Sequence, residues 1–342
     1  MSTTQQPATA AEQFALRRHS PLERIQHLLH AHPVISPTFV LVAAFLCFSL
    51  ANERFATAET TSLIVQQVAV VAALAVGQTL VILTAGIDLS VGAATVLAMM
   101  IAARVSFEQG FSGPIALAIA LLVGVAAAAV NGFLVTRLRL PPFIVTLGTL
   151  SIFTAILLLY TKGGTVQAAE MPDLLNWTGK YVNLGPFRIT TGVLVVLALY
   201  VVVAFSLSQT AWGRHVYAVG DDREAARLAG IRVDRVLLSV YTVSGLIFGI
   251  TAWVLIGRSG AASPNAIVDA NLESITAVVI GGTSLFGGRG ALLGTLLGAL
   301  IIGVFRSGLS LAGVNDQWRV LAVGVLVIVA VAIDQWIRKV QS

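Results

Sequence analysis

The sequence predicts an all-α polytopic membrane protein of about ten helices that cross the bilayer fully or in part. Composition is the first reason: 57% of the 342 residues are hydrophobic and only 11% are charged, whereas an ordinary soluble domain carries about 25% charged residues. The second reason is that the apolar residues are gathered into long segments, as membrane helices require. A soluble chain of this size still exposes about a quarter of its surface, so the composition excludes a large soluble helical core.

Ten apolar segments are candidate membrane helices, and a full crossing needs about 20 mostly apolar residues. The segments are Pro37–Leu50, Thr61–Ala85, Leu89–Ala103, Ile115–Val135, Phe143–Tyr160, Ile189–Leu207, Val236–Ile256, Leu272–Gly282, Ala291–Leu311 and Val320–Ile337. Leu89–Ala103 and Leu272–Gly282 are too short for a comfortable crossing and border glycine-containing breaks. Broken or half-length helices are therefore expected at these two places.

Residues 1–34 are expected to form a cytoplasmic segment ahead of a single membrane domain, residues 35–338. The segment lacks the apolar core of a signal peptide. Ser20-Pro21-Leu22-Glu23 has the pattern of a helix start, with Ser as N-cap and Pro in the first turn. The apolar residues that follow fall on one face, which predicts an amphipathic helix on the membrane surface.

Basic residues indicate the orientation. With the N-terminus inside and the spans alternating, 13 of the 21 lysines and arginines fall on the inner side, and this excess predicts both termini in the cytoplasm. The net charge of +5 then reflects cytoplasmic retention of basic residues rather than binding to nucleic acid. Residues 161–188 become the longest outer loop, and residues 209–235 become the longest cytoplasmic one.

The cytoplasmic loop contains a short helix with recognisable ends. Asp221 is expected to cap its start, and Glu224 occupies the reciprocal position of a capping box. Gly230 suits a left-handed C-cap, and three alanines between these residues keep the helix narrow. A plain turn between two spans is the alternative. So compact a capped helix between membrane spans favours a docking element.

Three stretches resemble the permease subunits of ABC importers, in order and at matching spacing between about residues 35 and 340. Glu224-Ala225-Ala226-Arg227-Leu228-Ala229-Gly230 is similar to the coupling-loop motif Glu-Ala-Ala-x-x-x-Gly, without the Ile-x-Leu-Pro ending of other importer classes. Residues 77–92, GQTLVILTAGIDLSVG, look like the first signature of ribose-type permeases. Residues 276–290, TAVVIGGTSLFGGRG, look like their second, glycine-rich signature.

The resemblance implies a type II-like ABC importer permease in a bacterial inner membrane, which passes a monosaccharide or similar small polar solute inward by alternating access. The implied partners are a second permease copy forming a homodimer, a cytoplasmic ABC ATPase with duplicated cassettes, a periplasmic sugar-binding protein and membrane lipid. The ATPase would bind ATP and Mg²⁺, and this chain would need no cofactor. The residues implied to couple the chain to the ATPase are Asp221, Asp222, Arg223, Glu224, Ala225, Ala226, Arg227 and Gly230.

Polar residues inside the apolar segments are candidates for the translocation path or its gate. A carboxylate at membrane depth costs about 2.5–3.5 kcal/mol, so Asp88 is either functional or a structural cap for a helix beginning at Leu89, assisted by Ser90. Hydroxyls and amides elsewhere can serve the solute or join helices to each other. The full candidate set is Gln78, Thr84, Asp88, Ser90, Asn131, Thr146, Thr283 and Ser284.

Other classes of protein are less well supported by the residues. An ion-driven secondary transporter needs buried ionisable groups near the midplane, and besides Asp88 only Glu273 and Arg306 come into question, near predicted helix ends. The sequence offers no P-loop, no metal-ligand cluster and no nucleophilic triad, so we expect neither an enzyme nor a metal site. Permeases of the same superfamily for nucleosides, branched amino acids or a furanose signal remain alternatives.

Overall fold

A computed structural model describes residues 34–329, apart from positions 268, 316, 319, 323, 326 and 327. Within this range the chain is mostly helical. The helices with defined bounds are α1 (Ile35–Ala51), α2 (Ala58–Leu83), α3 (Val91–Gln109), α4 (Gly113–Arg137), α5 (Pro142–Thr161), α6 (Asp173–Asn176), α7 (Thr191–Gln209), α8 (Ala211–Asp221), α9 (Arg223–Leu228), α10 (Val233–Ser259), α11 (Ala270–Ile280) and α12 (Leu292–Leu311). The strands are β1 (Val166–Gln167), β2 (Tyr181–Leu184), β3 (Phe187–Thr190) and β4 (Ala261–Ala262).

Seven helices of the described range are long and apolar enough to cross a membrane: α2, α3, α4, α5, α7, α10 and α12. The chain is therefore a multi-pass membrane protein, as predicted. The amphipathic helix expected in residues 1–34 lies outside the described residues, except for position 34. Val320–Ile337 is described only in part, and its described positions are helical.

The prediction of a short third span was wrong. α3 begins at Val91 and runs through Arg104 to Gln109, a length of 19 residues. The charge at Arg104 does not end the helix because its guanidinium pairs with Glu108 one turn later and donates to the carbonyl oxygen of Tyr160. The prediction of a half-length helix is confirmed at α11, which has 11 residues.

α2 is the central helix of the bundle. From Val68 to Leu83 every residue except Val71 is buried, which matches a helix surrounded by other helices. Tyr200 of α7 donates its hydroxyl to the Ala72 carbonyl oxygen at 3.0 Å, and Ser244 of α10 donates to that of Gly77 at 3.1 Å. These bonds attach two neighbouring helices to the centre of α2.

Glycines allow two pairs of helices to pack with their backbones in contact. α4 meets α10 where Gly124 faces Gly245, and a Cβ on either residue would overlap the other backbone. α11 meets α12 in the same way, because Gly294 and Gly298 lie against the carbonyl oxygens of Gly281 and Ala277. The four-residue spacing predicted this close packing for Gly294 and Gly298.

Residues 161–188, predicted to form an outer loop, have more regular structure than the sequence indicated. β2 and β3 form an antiparallel hairpin, and β1 pairs with β4 beyond the end of α10. Ile189, predicted to start a span, lies instead in β3, and α7 starts at Thr191. The strands pair backbone N–H and C=O groups where the chain leaves its helices. Nearby, the Trp177 ring stacks on that of Trp253, with 5.6 Å between the ring centroids.

Candidate functional site

α9 is the short helix that the sequence predicted, but Asp222 caps it rather than Asp221. The Asp222 carboxylate accepts the backbone N–H groups of Glu224 and Ala225 at 2.8 and 3.0 Å. Asp221 is the last residue of α8, and Glu224 is the second residue of α9 rather than the third. The capping box of Asp221 and Glu224 was therefore wrong by one residue, because α8 continues up to the cap.

The C-terminal end of α9 agrees with the prediction. Gly230 has a φ of +84°, in the left-handed region that glycine adopts without steric cost. The Gly230 N–H donates to the carbonyl oxygen of Arg227, and the Ile231 N–H donates to that of Ala226, both at 3.0 Å. This pair of bonds is the Schellman motif, which ends a helix and turns the chain sharply towards α10.

α9 presents a mixed surface to its surroundings. Leu228 is 89% exposed, and Glu224 and Arg227 form an exposed ion pair at 3.6 Å. Ala225 is also exposed, whereas Ala226 is buried against the molecule. α9 therefore exposes an apolar side chain beside an ion pair, on a helix whose two ends are fixed.

α8 joins α9 to the rest of the bundle through a tight contact that we call the α8 junction, formed by Leu83, Gly220 and Gly288. The Gly288 N–H donates to the Leu83 carbonyl oxygen at 3.0 Å, and Gly220 lies so close that a Cβ would overlap that same oxygen. Two of the three sequence stretches that carry the resemblance therefore meet at Gly220, four residues before the third begins.

Two side chains reinforce the α8 junction. Arg223, the first residue of α9, donates to the Thr84 carbonyl oxygen at 3.0 Å. Tyr217 of α8 donates to the Gly290 carbonyl oxygen at 2.9 Å, and burial raises the pKa of Tyr217, so its hydroxyl stays a neutral donor. Hydrogen bonds thus attach α9 to the end of α2 and attach α8 to the glycine-rich loop, residues 281–290, that leads from α11 to α12.

Five predicted path residues form one buried cluster, which we call the Asp88 cluster: Gln78, Asp88, Ser90, Asn131 and Thr146. Ser90 donates both its N–H and its hydroxyl to the Asp88 carboxylate at 2.7 Å, and Asn131 donates to the Ser90 hydroxyl at 2.8 Å. The Gln78 amide pairs with the backbone of Asp88, and Thr146 donates to the Ile87 carbonyl oxygen at 3.0 Å. The cluster ties the α2–α3 connection to α4 and α5.

Asp88 does not cap a helix beginning at Leu89, as the sequence suggested. α3 begins two residues later, with Ser90 as its N-cap and without a side-chain capping bond. The Asp88 carboxylate instead organises the turn before the helix by accepting two bonds from Ser90. The other candidates lie nearby: Thr84 is at the α8 junction, and Thr283 and Ser284 are buried in the glycine-rich loop.

A cavity of about 570 Å³ lies towards the other end of the bundle, between α2, α10, α11 and α12. Its walls include none of the eight predicted path residues. Its charged lining residues are Arg258, Asp269, Glu273 and Arg306. The sequence did contain a signal for this site, since Glu273 and Arg306 stand within largely apolar segments, but their spatial pairing was not visible from their separation of 33 positions.

Comparison with known proteins gives the family. Residues 60–331 match the family described as "Branched-chain amino acid transport system / permease component". The chain belongs to this permease family. The match begins in the first turn of α2 and extends beyond α12, so it includes α9, the α8 junction, the Asp88 cluster and the cavity.

Relatives in this permease family resemble the chain over most of their length. It is 48% identical over 339 residues to the fructose import permease protein FrcC of Rhizobium meliloti, covering 98% of this chain and 94% of the relative. It is 36% identical to the ribose import permease protein RbsC of Escherichia coli K12, with coverages of 86% and 91%. It is 30% identical to the autoinducer 2 import system permease protein LsrC of Photorhabdus luminescens, with coverages of 91% and 92%.

Proposed function

We propose that this chain is the permease subunit of an ABC importer that carries a monosaccharide inward across a bacterial inner membrane. The observation that carries the proposal is the 48% identity to a fructose import permease along nearly the whole of both chains. Ribose and allose import permeases are also among the similar proteins. A hexose or pentose is therefore the first solute class to test, with fructose as the first candidate.

The energy for transport enters through a partner. The sequence has no P-loop, so ATP and Mg²⁺ are assigned to a cytoplasmic ATPase with duplicated cassettes, and the chain itself is a transport subunit rather than an enzyme. Two copies of the chain form a homodimer, both termini face the cytoplasm, and a periplasmic sugar-binding protein delivers the solute.

α9 is the element through which the ATPase moves the permease. Its exposed residues, Glu224, Ala225, Arg227 and Leu228, dock on the ATPase, and Asp222 and Gly230 fix the two ends of the helix. Movement of α9 passes through Arg223 to Thr84 and through Gly220 to Gly288. Because Thr84 leads into the connection that contains Asp88, the α8 junction links ATPase movement to the Asp88 cluster.

The Asp88 cluster and the glycine-rich loop act as the inner gate in this proposal. All eight candidate residues are buried in this conformation, as expected for a gate that is closed. Separation of α2 from α12 would expose Thr79 and Thr295, whose hydroxyls lie 2.9 Å apart between these helices. The path then continues past Thr283 and Ser284.

A branched-chain amino acid is the second candidate solute, because the description of the matched family names that class. A furanose signal is a third, since an autoinducer 2 permease is among the relatives. Selectivity assays against leucine and against ribose therefore belong in the same experiment as fructose.

The test is ATP-dependent uptake in proteoliposomes that contain the chain together with its partner ATPase and binding protein. We expect uptake of labelled fructose or another monosaccharide, and its loss in Glu224→Lys, which places a cation in the docking surface. Glu53→Lys is the matched control, because it makes the same charge change at an exposed position outside α9. Normal uptake by Glu224→Lys would contradict the docking role, and uptake of leucine alone would contradict the sugar assignment.

A further inference from the structure

The cavity between α2, α10, α11 and α12 has the size and depth of a solute site. Its volume of about 570 Å³ lies within the range of about 300–1,000 Å³ typical of small-molecule pockets. Along α2 it extends from Thr60 to Val71, which is eleven residues at 1.5 Å each, or about 16 Å. That is roughly half of the hydrocarbon thickness of a bilayer.

We propose that this cavity, here called the Glu273 cavity, is an entry site for a neutral polyhydroxylated solute, held by the Glu273–Arg306 ion pair. The inference rests on the proposed function and adds to it a binding site on the side of the bundle away from α9. The site is separate from the Asp88 cluster, whose residues are absent from the described cavity walls.

The charges of the lining indicate a neutral solute. Arg258 and Arg306 are balanced by Asp269 and Glu273 among the described lining residues. A carboxylate solute would meet two like charges as well as two opposite ones, and the same holds for an ammonium group. Moving a charged solute from water into the cavity costs desolvation energy. A neutral solute that carries hydroxyl groups avoids this cost.

The Glu273–Arg306 pair suits hydroxyl recognition. The two side chains meet at 2.5 Å through one carboxylate oxygen and one guanidinium nitrogen. A guanidinium has five N–H donors and a carboxylate has two acceptor oxygens, so one such contact leaves further donors and an acceptor. Vicinal hydroxyls of a sugar need both kinds of partner, and Thr60, Gln67 and Ser307 add more from the same walls.

The inner end of the cavity is apolar and closed. One turn before the last lining residue of α2, Gly303 of α12 lies directly against the side chain of Val68, and a Cβ at Gly303 would overlap it. The residues of α2 that follow the cavity, Ala72 to Val76, are all completely or almost completely buried. A solute that enters therefore stops about halfway, until α2 and α12 move apart.

The lining also indicates brief occupancy. Sugar sites of high affinity present aromatic faces for stacking, and among the described residues of this lining no aromatic side chain occurs. A weak site suits a transport path, since a tightly held solute would leave slowly. Selectivity would then reside mainly in the partner that delivers the solute.

Direct binding is the first test, with the full chain in lipid nanodiscs and fructose, ribose and leucine as probes in saturation-transfer NMR. We expect a signal from fructose or ribose and none from leucine. Glu273→Gln and Arg306→Gln should each weaken sugar binding roughly tenfold, which corresponds to about 1.4 kcal/mol. Arg104→Gln is the matched control, because it breaks the ion pair with Glu108 outside the cavity.

Ser307→Leu is a second test that does not depend on the folding of the charge variants. Its larger side chain fills the cavity and leaves both charged side chains in place. It should abolish the sugar signal with little change in the thermal midpoint. Equal sugar signals in wild type, Glu273→Gln and Ser307→Leu would overturn the proposal, as would a signal from leucine alone.

An uptake experiment distinguishes failure of the cavity proposal from failure of the proposed function. In the reconstituted complex, the cavity variants should raise the KM for the sugar relative to wild type and to Arg104→Gln. If the wild-type complex takes up no sugar, the proposed function fails. If it takes up sugar and the cavity variants match Arg104→Gln in KM, the proposed function stands and the cavity assignment fails.

Discussion

Arg223 is the residue that most changes the interpretation of the coupling motif. The sequence groups it with residues that contact the ATPase, but its side chain points back into the permease and donates to Thr84. Glu224 and Leu228 remain exposed. The motif therefore divides into exposed residues, for which we propose docking, and residues that fasten α9 to the membrane helices.

Asp222→Ala should weaken the start of α9. The substitution removes the acceptor of two backbone N–H groups, and loss of an N-cap costs about 1 kcal/mol. Hydrogen exchange at Glu224 and Ala225 should become faster by roughly fivefold, whereas Asp221→Ala should leave it unchanged. Faster exchange in Asp221→Ala alone would show that the sequence-based cap was right.

Gly220→Ala should disrupt the α8 junction. The added methyl group would overlap the Leu83 carbonyl oxygen and crowd the Gly288 N–H, and overpacking of this kind costs about 1–3 kcal/mol. We expect a lower thermal midpoint for the purified chain and reduced uptake. Gly148→Ala is the control, because no atom outside the local backbone lies within 4 Å of a Cβ there. Equal midpoints for the two variants would contradict the packing described.

At the residue scale, the sequence predicted which kinds of site occur better than it predicted which residues form them. Gly230 was predicted correctly because glycine after the last turn of a helix favours a left-handed C-cap, which it adopts without steric cost. The N-cap was misplaced because Asp221 and Asp222 are adjacent and both have capping chemistry. The capping alternative for Asp88 was wrong for a related reason, since a carboxylate before a helix serves equally in a cap or in the preceding turn.

At the scale of elements, helices were predicted well wherever hydropathy alone decides their extent. The length of α3 was underestimated because a charged residue inside an apolar segment indicates the end of a span. In the structure, Glu108 and the carbonyl oxygen of Tyr160 bind the Arg104 guanidinium. The strand pairing of β1 with β4 joins residues almost a hundred positions apart. No local pattern predicts such a pairing.

α11 and α12 give a prediction at the element scale. Their backbones touch at Gly281 with Gly294 and at Ala277 with Gly298. Gly298→Ala should push α11 away from α12, lower the thermal midpoint by several degrees and reduce uptake. The control is again Gly148→Ala, which should leave both unchanged. An unaltered midpoint in Gly298→Ala would mean that the two helices pack less closely than described.

At the scale of the whole molecule, the two proposed functional sites lie towards opposite ends of the bundle. α9 and the α8 junction form one end, and the Glu273 cavity lies towards the other, with the buried length of α2 between them. The motifs of the sequence predicted the first end because they are contiguous. The cavity was not predicted because its walls come from four helices that are distant along the chain.

The central claim is that α9 docks on an ATPase in the cytoplasm, and a site-specific cross-link tests it most directly. Leu228→Cys in a Cys47→Ser background provides a single reactive thiol at an exposed position. We predict that a thiol-reactive cross-linker joins it to the ATPase subunit in membranes, with a yield that changes with ATP, and that a membrane-impermeant reagent added to intact cells leaves it unlabelled. Labelling from outside the cell, or a complex active in transport without any adduct to the ATPase, would contradict the account.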